Sequence, residues 1–333
     1  MLLDTPSLYF RAFYGVPESV KAPDGTPVNA VRGLIDMIAR LVRDRSPERL
    51  VATMDADWRP AFRVAALPSY KTHRVAQDGG DQVPSSLDAQ LPVIEAVLDA
   101  VGLARLGAPG YEADDVIGTL AVRAEGPVDI VTGDRDLFQL VDDARPVRVL
   151  YTARGIRNLQ IVDEAFVTAK YGIPGRSYAD FATLRGDPSD GLPGVTGVGE
   201  KEVAAKYGIP GRGYADFATL RGDPSDGLPG VPGVGDKTAA ALVTRFGSVP
   251  GILAALESGT TDGFPAGSRL KLGANLDYLA AARTVVQVVT DIDLPQFDDR
   301  LPRTPRDPER LVELADRWNL GSPVNRLLAA LAP

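Results

Sequence analysis

Cysteine is absent from the 333 residues, so neither a disulfide framework nor a thiolate metal site is available. Histidine occurs once, at His73, which excludes a multi-histidine zinc centre. No uninterrupted apolar run approaches the roughly 20 residues of a membrane span, so no membrane partner is expected. The amino terminus has no basic n-region and carries Asp4 and Arg11 within its apolar opening, unlike a signal peptide. Positive charge is in short supply: the formal net charge is -8, which argues against indiscriminate coating of DNA. These gaps suit a reducing cytoplasm and leave carboxylates as the main carriers of chemistry.

Otherwise the composition is ordinary for a globular protein, 44% hydrophobic and 24% charged, at a length for which the prior is roughly two domains. The densest chemistry lies between Gly110 and Leu140. Glu112, Asp114 and Asp115 head a helical pattern, and a short apolar run, Val128–Val131, delivers Asp134 and Asp136. Carboxylates this crowded raise one another's pKa. A hard divalent cation with oxygen ligands is the usual remedy.

Three apolar runs each end in an aspartate, at Asp4, Asp55 and Asp134. Short apolar runs alternating with helical patterns predict buried strands of a parallel α/β sheet. Ligand sites in such sheets lie beyond the carboxyl ends of the strands. The three strands would bring their aspartates to one rim, where Glu112–Asp115 adds more at a helix N-terminus. Taken singly, each Asp reads equally well as a helix or turn cap. Their convergence points to a metal-ion nuclease.

The spacing also predicts helices over Val28–Val42 and Leu91–Val101, a short helix over Leu137–Val141, and a hairpin from Val147–Tyr151 and Gly155–Val162. Arg59, Arg63, Lys71 and Arg74 are interleaved with Phe62 and Tyr70. That pattern suits a single strand, whose phosphates attract cations and whose bases stack on rings. It equally describes a solvated helix face with some ring contacts to a core. Lys170–Gly199 recurs as Lys206–Gly235 at an offset of 36, differing only at Ser177/Gly213 and Thr196/Pro232. So close a match reads as a recent tandem duplication. Each copy carries a GD-x-x-D pair, Asp187 and Asp190 or Asp223 and Asp226, before a glycine-rich turn. Such a turn ahead of a helix presents backbone N–H groups to phosphate.

Together these stretches resemble the bacterial 5′-nuclease family: the 5′–3′ exonuclease domain of DNA polymerase I, its stand-alone homologues and the flap endonucleases. The resemblance runs from LLD and YFRAF through DGTPVNAVRG, SYKTHR, GYEADDVIGTLA and TGDRDLFQLV to LRGDPSDGLPGVPGVGDKTAAAL. No polymerase domain follows, so a stand-alone enzyme is expected. The resemblance implies an α/β fold of PIN-like type, a twisted, mainly parallel sheet flanked by helices. A helical arch, at about residues 58–92, belongs to a nuclease domain 1–163. A region 164–333 holds a helix–two-turn–helix for DNA, with K⁺, and the duplicated unit 164–199/200–235.

It further implies two Mg²⁺ or Mn²⁺ ions. Asp4, Asp55, Glu112 and Asp114, with Asp115 beside them, belong to the first; Asp134, Asp136 and a GD-x-x-D pair belong to the second. Lys71 and Arg74 are the implied catalytic groups of the arch, and Arg11, Arg59, Arg63 and Tyr70 join them in holding the strand. Gly230, Val231, Gly233, Val234, Gly235 and Lys237 would grip duplex. The implied activity is a 5′–3′ exonuclease and 5′-flap endonuclease of replication and repair, monomeric, cytoplasmic and nucleoid-associated. Its partners would be DNA with 5′ flaps, 5′ ends or RNA primers. Asp223 and Asp226 are favoured for the second metal because the helix Lys237–Phe246 follows them, with Asp187 and Asp190 as the alternative. The rival readings are a catalytically impaired DNA-binding protein, through the duplication, and a related acidic-site ribonuclease.

Overall fold

The computed structural model describes residues 1–66, 68, 70–71, 74–76, 83–171, 175–178, 238, 241–242, 245–246, 249–274, 276, 284 and 287–332. Both GD-x-x-D pairs, the turn Gly230–Gly235, Lys237 and His73 lie outside the described residues.

Three strands are those that the apolar runs predict: β1 (Leu2–Asp4), β2 (Val51–Thr53) and, after β3 (Ala104–Leu106), β4 (Val128–Thr132). With β5 (Val147–Tyr151) and β6 (Gln160–Val162) they form a six-stranded sheet in the order β3-β2-β1-β4-β5-β6. Every pairing is parallel except β5 with β6, which is the expected hairpin. β3 is absent from the sequence reading. Its three residues carry Arg105 toward solvent at the sheet edge, so they show no apolar run.

Neighbouring residues on each strand serve different cores, as the alternation of a β-strand requires. Leu3, Val131 and Leu150 face a layer made by α1 (Thr5–Gly15) and α2 (Asn29–Arg45). After the short α3 (Ala61–Ala66) and α4 (Ser85–Asp88), α5 (Leu91–Val101) completes that layer. Leu2, Ile130 and Val149 face the other layer, built by α6 (Ala113–Arg123), the 3-10 turn Asp136–Leu140 and α7 (Glu164–Tyr171). Burial on both faces explains why these strands read as continuous apolar runs. The stretch expected as a helix from Leu137 is the tighter turn because only five residues separate Arg135 from Val141.

Later in the chain come α8 (Val249–Glu257), α9 (Ser268–Gly273), α10 (Pro308–Arg317) and α11 (Gly321–Leu331). The last two lie beyond the expected division at 163/164 and pack on the first core. Leu311, Leu314, Val324 and Leu327 are buried in the same core as α1, α2 and α5, and Arg326 holds both carboxylate oxygens of Asp36 of α2 through its Nε and Nη2. Their apolar face is complementary to the first core, so the tail closes the nuclease region. Among the described residues, no helix is long and apolar enough to cross a membrane.

One buried polar network fixes the base of the arch. The Gln90 Oε1 accepts from the main-chain N–H groups of Ala30 and Val31 at 2.9 and 3.3 Å, capping α2 from a distant part of the chain. Its amide donates to Asn29 and to the Ser86 carbonyl, while Asn29 donates to the carbonyls of Phe13 and Val16. Helix ends leave unsatisfied donors and acceptors. Here two amides satisfy those of α1 and α2 and tie the returning arch to both.

Candidate active site

The strand order reverses direction at β1, which has β2 on one side and β4 on the other. A crevice opens at such a switch point beyond the strand ends. Asp4 sits there, closing β1 and capping α1, with its Oδ1 accepting from the Ser7 N–H at 3.1 Å. Its Oδ2 accepts from the Thr132 hydroxyl at the end of β4, at 2.5 Å. The same hydroxyl oxygen accepts from the Asp134 N–H at 2.7 Å, and the Asp134 carboxylate accepts from the Asp136 N–H at 2.8 Å. Gly133 makes this tight crossing possible: a Cβ there would stand 2.8 Å from Ser7 Oγ and 3.1 Å from Thr152 Oγ1.

The head of α6 supplies the facing acids. Glu112 caps it and forms a reciprocal capping box with Asp115. Asp55, two residues past β2, accepts from the Ala113 N–H at 2.8 Å and so joins the β2 rim to this helix start. Glu112 is gripped from the arch by the Tyr70 hydroxyl at 2.8 Å, by Arg63 at 2.5 Å and by Lys71. Lys71 holds a left-handed backbone with φ of 49°. A non-glycine residue persists there only where its surroundings over-determine it. Its paired ammonium, buried beside Glu112, supplies that constraint.

Charge is out of balance on this rim. Burial, then the neighbouring Asp55, pushes the Asp4 carboxyl up to about 6, against hydrogen bonds from Thr132 and Ser7. Burial pushes Asp114 well above the carboxylate range, helped by the charges of Asp4, Asp134 and Glu112; Lys71 opposes both shifts. Among the described residues, no group of three carboxylates is gathered into one coordination shell, and Glu112 holds cationic side chains instead. The donor set still fits a hard divalent cation. The candidate ligands are all carboxylates, and two of them are driven toward protonation by burial and repulsion that a divalent charge relieves.

Several of the expected site residues are engaged within the protein. Asp115 was expected beside the first metal. It is wholly buried, and its oxygens take the two arms of Arg63 at 2.7 and 2.8 Å as well as main-chain N–H groups of Glu112 and Val289. Arg63 was expected to hold a strand; it is only 3% exposed and is consumed by Asp115 and Glu112. Burial opposes its charge, but those two acids outweigh it and raise its pKa further. Tyr70, expected as a stacking surface, is buried with its hydroxyl on Glu112. Arg59 turns back to brace the arch through the carbonyls of Tyr70 and Pro68 at 2.6 and 3.0 Å.

Arg74 remains at the arch surface, stacked over the Trp58 ring at 5.3 Å. Arg11 lies beside Gly133 with its Nε buried and unpaired. Thr132 was missed by the sequence reading. Its signal was present, since both the β2 and β4 runs place a buried Thr two residues before their aspartate.

A family model described as the 5′-3′ exonuclease N-terminal resolvase-like domain matches residues 1–172, and one described as the 5′-3′ exonuclease C-terminal SAM fold matches 209–309. The gap between them, 173–208, is as long as the offset between the two repeat copies. A 5′-3′ exonuclease of Streptomyces coelicolor is 54% identical over 336 residues, covering 99% of this chain and 99% of that protein. One of Mycobacterium tuberculosis is 46% identical over 345 residues, covering 99% of this chain and 97% of that one. A flap endonuclease of bacteriophage T5, solved as a pseudo-enzyme–product complex with DNA and metal ions, shares the fold. Its TM-score is 0.54 at 17% identity, covering 87% of this chain and 89% of that chain. With a mainly parallel sheet, an acidic rim at its switch point and both family domains matched, the chain belongs to the 5′-3′ exonuclease family.

Proposed function

We propose that the protein hydrolyses DNA phosphodiesters from 5′ ends and at 5′ flaps, leaving 5′-phosphates, and removes flaps and RNA primers in replication and repair. The observation that carries this is the rim where Asp4, Asp55, Glu112, Asp114 and Asp134 lie in one another's fields with Lys71 among them. Asp4, Asp55, Glu112 and Asp114 would hold one Mg²⁺ or Mn²⁺, and Asp134 and Asp136 another. Bound there, such ions supply Lewis acidity and a water acidic enough to attack as hydroxide near neutral pH.

The chain's own part is positioning and charge. Thr132 holds the Asp4 carboxylate and the main chain of Asp134 together. Lys71 offers positive charge where phosphoryl oxygens become more negative in the transition state. Arg74 on the arch and Arg11 beside Gly133 flank the rim with cations suited to the phosphates on either side. A substrate of chromosomal DNA fits work in the cytoplasm at the nucleoid.

For the remaining ligands of the second metal we favour Asp223 and Asp226, which fall within the segment matched by the C-terminal family model, as Asp187 and Asp190 do not. The alternative is supported by the first copy's Tyr178, buried against Phe138 with ring centroids 4.8 Å apart, upstream of Asp187. Changing each pair to Asn in turn separates them: loss of cleavage follows the pair that serves the metal. K⁺ at the glycine-rich turn belongs to the same proposal, and replacing K⁺ by Na⁺ should weaken duplex binding.

The deciding test is a labelled 5′-flap duplex incubated with and without Mg²⁺, beside Asp134→Asn and Asp136→Asn. Cleavage is expected only with metal and only in the unsubstituted protein. Cleavage without metal, or surviving both substitutions, rules the proposal out. An all-RNA flap duplex cut in preference to DNA would favour an acidic-site ribonuclease.

A further inference from the structure

The residues at 287–292, which lie inside the matched C-terminal family segment, run against α6 and hydrogen-bond to residues behind both halves of the acidic rim. On one side, the Gln287 carbonyl accepts from Arg63 at 3.3 Å and the Val289 N–H donates to Asp115 at 2.9 Å. Arg63 and Asp115 are locked to each other and to Glu112. On the other side, the Val288 N–H donates to the Gln139 side chain at 3.0 Å, and Gln139 donates to the Asp136 carbonyl at 2.8 Å. The Ile292 N–H donates to Thr119 at 3.3 Å and its carbonyl accepts from Arg123 at 2.5 Å, which hold the segment along the helix. Contact is close enough to demand Gly118: a Cβ there would stand 2.4 Å from Val288 Cγ1 and 2.8 Å from the Val289 carbonyl oxygen.

We infer that this segment is a brace for the metal-binding rim, with Gln139 positioning Asp136 and the Arg63–Asp115 pair positioning Glu112. Through its main-chain groups the brace reaches the partners of Glu112 and Asp136, residues assigned to both metals. Buried charge pairs with full hydrogen bonding fix geometry more than they add stability, and partners behind metal ligands set affinity for the metal. The segment belongs to the region matched by the C-terminal family domain, so its seating ties that region to the carboxylate geometry through a contiguous set of hydrogen bonds.

The inference rests on the divalent-metal reading above, and its test keeps the two apart. Mn²⁺ binding is measured by calorimetry on the full chain without DNA, for the unsubstituted protein, Asp134→Asn, Gln139→Met and Gly118→Ala. Cleavage of a 5′-flap duplex by the same proteins gives kcat and KM. Gln139→Met keeps the volume and removes both hydrogen bonds; Gly118→Ala displaces the segment from its other side. Both are expected to weaken Mn²⁺ binding about tenfold and to lower kcat while KM stays the same. Unchanged Mn²⁺ affinity in Gln139→Met overturns the brace, as does a loss of thermal stability with Mn²⁺ affinity and kcat intact. If the unsubstituted protein takes up no Mn²⁺, the metal reading fails and the brace falls with it.

Discussion

At the amino ends of the strands a cleft of about 660 Å³ is bounded by Arg49, Arg148, Asp129 and Asp299, among others. Each of those acids has its own arginine, Asp129 with Arg148 at 2.6 Å and Asp299 with Arg49 at 2.5 Å. At the carboxyl ends of the same strands, Asp4 and Asp114 face other carboxylates and share Lys71. Both ends are rich in charge, and the amino end offers ample room. What separates them is burial and compensation: carboxylates buried beside one another are pushed above their ordinary range, and such groups mark candidate chemistry.

The largest effect expected from pressing this contrast comes at Lys71. Lys71→Ala should lower kcat on a 5′-flap duplex by about 10²–10³-fold, measured in single-turnover assays. A loss of less than tenfold would make its pairing with Glu112 merely structural. Next comes a pair of sequence neighbours. Asp115→Asn takes from the buried Arg63 one of its two carboxylate partners and should cost about 3 kcal/mol of stability in denaturant melts. Asp114→Asn removes a buried, repelled charge and should leave the metal-free protein equally or more stable. The same sign for both would erase the distinction between anchor and ligand.

Asp4 gives a pH test. Its folded carboxyl titrates at about 6 against an ordinary 3.8, so the folded state holds the proton more tightly than the unfolded one. Its contribution to stability is therefore full below pH 3.8 and is lost as pH rises through about 6. In EDTA, Asp4→Asn should abolish that decline and be more stable at pH 7.5 by roughly 2–3 kcal/mol at most. Parallel pH profiles for the two proteins would refute this. The smallest effect belongs to the opposite end: Arg49→Ala breaks an exposed pair and should change stability by less than about 1 kcal/mol, with no change in cleavage.

The aspartates were legible because each ends an apolar run, and a run buried on both faces survives in sequence as uninterrupted Leu, Ile and Val. The rim followed from chain order and strand ends alone. The partners of those acids were not. Arg63 and Arg74 are eleven residues apart in one basic stretch, yet one is buried on Asp115 and the other lies on Trp58. Nothing local distinguishes them, because the choice is made by what packs opposite. Gln139 is likewise silent in sequence, since the main-chain N–H it accepts from belongs to Val288, more than a hundred positions away. β3 was invisible because an edge strand with one solvated face has no apolar run to show.

Tyr178 is pinned against Phe138 and Gln287 against Arg63. For a tether pinned at both ends, the entropy of closure grows only with the logarithm of its contour. The duplicated 36 residues lengthen the span between those pins by less than twofold, which costs no more than about 0.6 kcal/mol. Asp4, Asp55, Glu112, Asp114, Asp134 and Asp136 all precede the duplicated unit in the chain.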